Sequence, residues 1–312
     1  MGDYTIYKYL FNRSTEQNLF SQQTKAEALE LAQEELDKAI KGELFFAKKH
    51  RSREEYERLE YQLLCSQNSI SVLLINDSKH KKYQEGKEDM TLNYHPGCYV
   101  IIDNRPGIAQ IAIEKTSSFD YDTDKVSKLL KTALDRTLSQ VGMNIDIQPI
   151  YQSKDFWESV DEIKKKNDRI TKITFHFLNS NTIGPLNATQ AELVRMEFIA
   201  SMMAAFDAAE SKFGFTADRD KSLILDRTQE DVAAVIDLCC RNGYEIAVHF
   251  KEAGIYRTGK EIRVTRQLRD SHITDFVQGQ AHAFHPYGFL GEWLDSIHET
   301  RLSLTSDHAA DK

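Results

Sequence analysis

The chain has 312 residues, 41% of them hydrophobic, and a formal net charge of −8. No apolar run approaches the roughly 20 residues of a membrane span and no apolar secretory signal opens the chain, so we expect no direct membrane insertion. Four cysteines without a C-x-x-C pair argue against a zinc or disulfide framework and favour reduced thiols in the cytoplasm. The acidic total argues against a surface covered by phosphate contacts, but it permits a local basic face.

The first half of the chain combines helix signals with short strand signals. Thr24 and Glu27 form a capping box that satisfies free amides of a first helical turn, and Gly42 fits the end of that helix. Within Asn104–Gly107, proline presets the first torsion of a turn and glycine accepts a positive φ, which predicts a tight hairpin turn at the surface. In chain order we predict a strand at Tyr4–Phe11, a helix between Thr24 and Gly42, a charged helix at Lys48–Leu64, a strand at Ser71–Ile75, a polar loop from Lys79 to Asn93, strands at Cys98–Asp103 and Ile108–Glu114, and a helix between Asp122 and Gly142.

The second half again alternates strands and helices, after a turn-forming stretch at Asn179–Asn187. This stretch predicts an N-terminal domain of residues 1–182 and a C-terminal domain of residues 186–312. Because hairpins are mixed with capped helices, the predicted class is α+β, with mixed, largely antiparallel sheets and packed helices in two units. The remaining predicted elements are strands at Ile145–Ile150, Ile173–Phe177, Leu223–Leu225, Glu245–Phe250 and Glu261–Leu268, and helices starting at Ser153, Thr189 and Thr228 and around Trp293.

The most distinctive charge pattern is a ladder of five cations within 13 residues, opposed inside that window only by Glu261. On a strand or on a helix, cations at this spacing can follow a phosphate backbone. The alternative is a solvated face whose cations pair with acids elsewhere in the protein. The ladder consists of Arg257, Lys260, Arg263, Arg266 and Arg269.

A second basic cluster is interleaved with Asp161, Glu162 and Asp168. It is a further candidate for nucleic-acid contact, although lysines at the end of a helix are also favoured because they oppose the helix dipole. The cluster comprises Lys164, Lys165, Lys166 and Arg169, followed by Lys172.

Candidate catalytic groups lack a complete motif. Asp103 on one strand and Glu114-Lys115 on the next invite comparison with metal-dependent nucleases, but adjacent residues of a strand point to opposite faces. His282 and His285 are close enough in sequence to share a metal, but Pro286 interrupts the helix that the usual histidine pair needs. We therefore expect no metal or other cofactor, and catalysis is kept as an alternative.

The segment from Tyr99 to about Phe177 has a characteristic order: a strand, a turn, a second strand, an acidic helix start, and a strand after the helix. Its matching runs are Val100–Asp103, Gly107–Ala109, Thr116, Asp122–Asp124, Gly142-Met143 and Ile147–Ile150. In this order the chain resembles the phage-exclusion protein RexA of phage lambda and, more loosely, the KwaB component of the Kiwa antiphage system, over about a quarter of its length. The resemblance implies a cytosolic, oligomeric protein that binds DNA and senses phage replication, and it implies no catalytic residues.

The leading hypothesis is a cytoplasmic sensor or regulator that binds nucleic acid, DNA rather than RNA, in a bacterial antiphage defence system. As partners we expect nucleic acid, further copies of the chain in a homo-oligomer, and a second defence protein. Two alternatives stay open. One is a divergent nuclease or hydrolase that uses Asp103, Glu114 or the pair His282 and His285, and the other is a non-enzymatic subunit whose aromatic segment Phe284–Phe289 docks on another chain.

Overall fold

The computed structural model describes residues 1–13, 25–49, 56–77, 79–85, 88–94, 97–166, 168–178, 182–183, 210–280 and 286–303. Contacts divide the chain into two compact units, unit 1 (Met1–Ile147 and Thr265–Ser296) and unit 2 (Gln148–Val264 and Ile297–Lys312). This division differs from the expected domains 1–182 and 186–312. Both sides of the expected junction fall in unit 2, and unit 1 is discontinuous because a late strand joins its sheet.

The strand pairs whose register is defined are antiparallel, and helices lie between the strands along the chain. This arrangement confirms the α+β class. The elements of the described residues, in chain order, are β1 (Gly2–Arg13), α1 (Lys25–Lys41), β2 (Ala47–Lys49), β3 (Tyr56–Arg58), β4 (Tyr61–Gln67), β5 (Ile70–Asn76), β6 (Lys79–Glu85), β7 (Glu88–Tyr94), β8 (Gly97–Asp103), β9 (Gln110–Glu114), α2 (Thr123–Leu138), β10 (Met143–Pro149), α3 (Ser153–Lys164), β11 (Ile170–Leu178), β12 (Thr182–Ile183), β13 (Glu210–Thr216), α4 (Glu230–Asn242), β14 (Glu245–Phe250), β15 (Ile255–Arg257), β16 (Thr265–Leu268), α5 (Asp270–Val277) and α6 (Gly288–Ser303).

The main sheet of unit 1 has the strand order β10-β1-β9-β8-β5-β4, and β16 pairs with β1. This last pairing joins residues far apart in sequence, since Gly2 lies opposite Leu268 and Thr5 opposite Thr265. Apolar residues recur at helical spacing in each of the first two helices, which predicts a buried stripe on each. The structure confirms both stripes, because it buries Ala28, Ala32, Leu36 and Ile40 of α1 and Val126, Leu130, Ala133, Leu134 and Leu138 of α2.

The β8–β9 hairpin forms as predicted, with an exposed Gly107 at φ +83°. Asn104 differs from the expectation, because its side chain is buried instead of lying at the surface. It accepts a hydrogen bond from the Tyr9 hydroxyl and donates one to Asp37 Oδ1 at 2.7 Å. The turn is thereby tied to β1 and to α1.

Further predictions of secondary structure are wrong, and one of them is the strand at Leu223–Leu225, where the structure has no strand. Lys48–Leu64 does not form one helix, since its described residues contribute to β2, β3 and β4. Leu59 is buried there and donates its amide to Phe46 O at 3.0 Å, so tertiary pairing overrides the helix propensity of this charged segment. The expected polar loop from Lys79 to Asn93 contains the antiparallel strands β6 and β7. The helix predicted from Thr189 to about Lys212 lies outside the described part of the chain up to residue 209, and its last predicted residues belong instead to β13.

Unit 2 is built on an antiparallel sheet with the order β13-β11-β14-β15. Helices α3 and α4 pack on one face of this sheet, where Phe156 of α3 and Ile236 of α4 enter a common core with the strands. Helix α4 ends at Asn242, and Gly243 follows as its C-terminal cap. This glycine adopts φ +73°, and a Cβ at its position would lie 2.6 Å from Pro149 O, so the helix end requires glycine.

Candidate nucleic-acid interface

The sheet of unit 2 has an apolar face under its helices and an opposite face that carries cations. Phe175 and Phe177 of β11 are buried in the core, so strand alternation places Lys172 and His176 on the opposite face. On β14, His249 is directly paired with Lys172 and therefore shares its face. The sequence predicts a strand at Ile173–Phe177 but not which strands lie beside it.

The strand order brings two more cations to this face. Lys212 on β13 is paired with His176, and Arg257 on β15 is paired with Ala247, which lies two residues before His249 on β14. Lys172 and Arg257 are the direct and the diagonal cross-strand neighbours of His249, whereas Lys212 lies four residues farther along the sheet, about 13 Å from the row of Lys172, so only an extended ligand reaches all of them. We define the basic face as Lys172, Lys212, His249 and Arg257; His176 and Glu245, which are paired across β11 and β14, lie on the same face of the sheet.

The pKa of His249 depends on the electrostatic potential of the basic face. Partial burial lowers the pKa of its imidazole below the usual value, and the nearby positive charges of Lys172 and Arg257 lower that pKa further. Both cations are thus close enough to His249 to repel its proton. A bound polyanion would reverse this effect, because its negative charge favours the protonated imidazole.

The cations of the basic face differ in how they are paired. Lys172 and Lys212 are exposed and form no ion pair within the described part of the chain. Arg257 pairs with Glu245, and the two side chains are 56% and 41% exposed. An exposed pair of this kind contributes only about 0–1 kcal/mol, so a ligand phosphate can compete with Glu245 for Arg257.

The second predicted cluster lies at one end of the same sheet. The amide of Lys251, just after β14, donates to Arg169 O at 2.9 Å, and Asp168 accepts the Ala253 amide at 2.7 Å. Lys165 and Lys166, at the end of α3, are exposed, and neither they nor Arg169 form an ion pair with a described residue. Lys164 is used within the protein instead, since its Nζ donates to Leu225 O at 2.8 Å.

The ladder of five cations does not lie on one strand or one helix. Burial of Ile262, Val264 and Leu268 turns the chain, so only short elements form between residues 255 and 268. Arg257 belongs to β15, Lys260 begins a single 3-10 turn and the half-buried Arg263 bridges to Tyr151, all three in unit 2. Arg266 lies on β16 and Arg269 precedes α5, and both belong to unit 1.

Asp103 and Glu114 do not converge on one site. Asp103 is fully buried, and its carboxylate accepts hydrogen bonds from Arg105 at 2.8 and 2.7 Å. On the β8–β9 hairpin Asp103 is paired with Gln110, four residues away from Glu114. Groups of three or more histidine, cysteine or acidic side chains fit for a metal are absent from the described residues. His282, His285 and the first two residues of Phe284–Phe289 lie outside those residues.

Comparison of the chain with protein-family models, curated proteins and solved structures finds no match. None of the described helices is both long and apolar enough to cross a membrane. Function is therefore inferred from the side chains that the strands bring together, and the basic face gathers one side chain from each of the four strands of the unit 2 sheet.

Proposed function

We propose that the chain binds the phosphate backbone of nucleic acid through the basic face. The observation that carries this proposal is the common orientation of Lys172, Lys212 and Arg257, two of which have no ion-pair partner among the described residues. Lysine and arginine contacts to phosphates supply affinity that is independent of sequence and sensitive to salt, because each contact releases condensed counterions.

Lys165, Lys166 and Arg169 extend the same interface at the end of the sheet. Arg266 and Arg269 belong to unit 1. Their contribution to DNA affinity is therefore separate from that of the basic face and is measured with its own variant. Lys260 and Arg263 complete the predicted set in unit 2.

The proposed ligand is duplex DNA. Thr174 and Ala247 occupy the middle of the basic face, on the two central strands, and neither offers an aromatic ring on which an unpaired base stacks. Backbone contacts without stacking favour a double helix over a flexible single strand. The resemblance of Tyr99–Phe177 to phage-exclusion proteins supports DNA over RNA as the ligand. It also supports a homo-oligomer that acts in the cytoplasm as a sensor in antiphage defence, together with a second defence protein.

The experiment measures binding of the full chain to duplex DNA, single-stranded DNA and RNA by fluorescence anisotropy at two salt concentrations. We expect the triple variant Lys172→Ala, Lys212→Ala, Arg257→Ala to flatten the log–log salt slope for duplex DNA by up to about 2.7, at about 0.9 per lost contact. The matched control removes three exposed cations elsewhere in unit 2, Lys154, Lys221 and Arg227, and leaves most of the slope unchanged.

A second variant separates the two parts of the ladder. If Arg266→Ala, Arg269→Ala flattens the slope and the triple variant does not, the unit 1 part of the ladder is the interface and the basic face is not. Absence of binding to any of the three ligands at about 50 mM salt, where electrostatic association is strong, contradicts nucleic-acid binding by the isolated chain.

A further inference from the structure

A cavity in unit 1 lies beside an exposed aromatic ring. Phe45 is held at the surface because both of its neighbours are anchored: the Leu44 amide donates to the Tyr61 hydroxyl at 2.7 Å, and Phe46 is buried. Phe45 as a whole is 37% exposed. The last turn of α2 and the residues after it supply the opposite wall. The cavity measures about 250 Å³ and is lined by Glu43, Phe45, Arg136, Thr137 and Gln140.

Two guanidinium groups lie against this ring. The Cζ atom of Arg136 is 4.7 Å from the ring centroid, and that of Arg58 is 5.4 Å from it. Arg58 is paired with Glu43 Oε1 at 2.8 Å, whereas Arg136 forms no ion pair with any residue that the structure describes. The contact with Phe45 therefore positions the Arg136 guanidinium while its N–H groups stay available for a ligand.

The lining offers the contacts that an unstacked nucleotide uses. A positioned guanidinium provides a plane for stacking and donors for a phosphate. Glu43 Oε1 is held by Arg58, so Oε2 is left to accept a hydrogen bond from an amino group. Gln140 adds one donor group and one acceptor. The volume is below the roughly 300–1,000 Å³ of pockets for drug-sized ligands, which suits one base more than a large cofactor.

We propose that this cavity, the Arg136 pocket, binds one phosphorylated nucleoside whose base carries an exocyclic amino group. The amino group donates to Glu43, the base stacks on the Arg136 guanidinium, and the same guanidinium binds the phosphate. Arg136 is essential for the anion because the nearby carbonyl end of α2 carries partial negative charge. A free mononucleotide and an unstacked base of a single strand present this same chemistry.

The test is a calorimetric titration of the full chain with cytidine 5′-monophosphate and uridine 5′-monophosphate, whose bases differ at C4, an amino group in cytosine and a carbonyl in uracil, and at N3, an acceptor in cytosine and an N–H donor in uracil. We expect the cytidine nucleotide to bind about fivefold tighter or more, and Glu43→Ala to remove this preference. Arg136→Gln should weaken both nucleotides about tenfold. Lys128→Gln makes the same charge change at an exposed position of the same helix, and we expect it to leave both affinities unchanged.

Equal affinities for the two nucleotides, or ribose 5-phosphate binding as tightly as the cytidine nucleotide, overturn the proposal. An unchanged affinity in Arg136→Gln overturns it as well, and an unchanged melting temperature confirms that this variant is folded. Competition by oligodeoxycytidine at a lower concentration than the mononucleotide identifies a single strand as the source, and the reverse order identifies the free nucleotide. The triple variant of the basic face should keep its nucleotide affinity, so the two proposals fail independently.

Discussion

The β8–β9 turn of unit 1 and the basic face of unit 2 both concentrate polar side chains, but they use them in opposite ways. At the turn, the buried Asp103 binds Arg105, which also pairs with Asp295 at 2.7 Å. On the basic face, Lys172 and Lys212 extend from the sheet without an ion-pair partner in the described residues. Charges that are paired and buried fix a conformation, whereas charges left exposed and unpaired are available to a ligand.

Removing the buried acid of the turn should give the largest effect. In Asp103→Ala the half-buried Arg105 loses its buried carboxylate partner and keeps Asp295 and the Tyr287 ring, and the Gln110 amide loses one of its two acceptors, the one that it reaches at 3.3 Å. We expect the free energy of unfolding to fall by about 3–5 kcal/mol, the cost of breaking a buried pair. Denaturant unfolding measures this loss, and a change below about 1 kcal/mol would show that the network is dispensable.

A smaller loss is expected from Gly107→Val in the same turn. A Cβ at this position meets no atom within 4 Å, so the cost comes from the left-handed backbone alone. A β-branched residue resists the φ of +83°, and we expect a loss of about 1–2 kcal/mol. Gly107→Asn is the control, because asparagine tolerates this conformation and should lose less. Equal melting temperatures for valine and glycine would contradict this account of the turn.

On the basic face, Glu245→Ala tests whether the exposed ion pair matters to stability or to binding. We expect the free energy of unfolding to change by about 0–1 kcal/mol, because both side chains are exposed. Affinity for duplex DNA should rise, since Arg257 loses an internal competitor for the phosphate. A decrease in DNA affinity would show that Glu245 positions Arg257 for the phosphate. The ion pair of the basic face would then fix a conformation, as the buried pair of the β8–β9 turn does.

The smallest effect concerns pH. Because the folded-state pKa of His249 is lowered, the unfolded chain binds more protons between that pKa and the usual value of about 6.5. Stability contributed by this histidine is therefore present above that window and is lost as pH falls through it. Lys172→Met, Arg257→Met should raise the His249 pKa and shrink the loss, and duplex DNA should raise the same pKa. Titration of the imidazole resonances by NMR measures both changes, and a pKa that moves in neither case would contradict a positive potential at this face.

The sequence predicts local features of this fold better than long-range ones. The stripe of α2 and the positive φ of Gly107 follow from spacing and from residue type, so both were predictable. The basic face depends on the order β13-β11-β14-β15, which sets Lys172 beside His249, and no local pattern contains that order. The five-cation ladder is regular in sequence, yet it is divided between two units because buried apolar residues between its cations turn the chain.

The pairing of β16 with β1 has a consequence for biosynthesis. The first strand leaves the ribosome long before Thr265–Leu268 is made. Residues Gly2–Thr5 of β1 therefore lack the strand β16 that pairs with them while all of Gln148–Val264 is translated. At about 5–20 residues per second, this wait lasts on the order of 6–25 s. The inserted unit can fold during that time, and the surrounding unit completes its sheet last. An unpaired strand edge attracts other chains, so aggregation of nascent protein should depend on how quickly this last strand arrives.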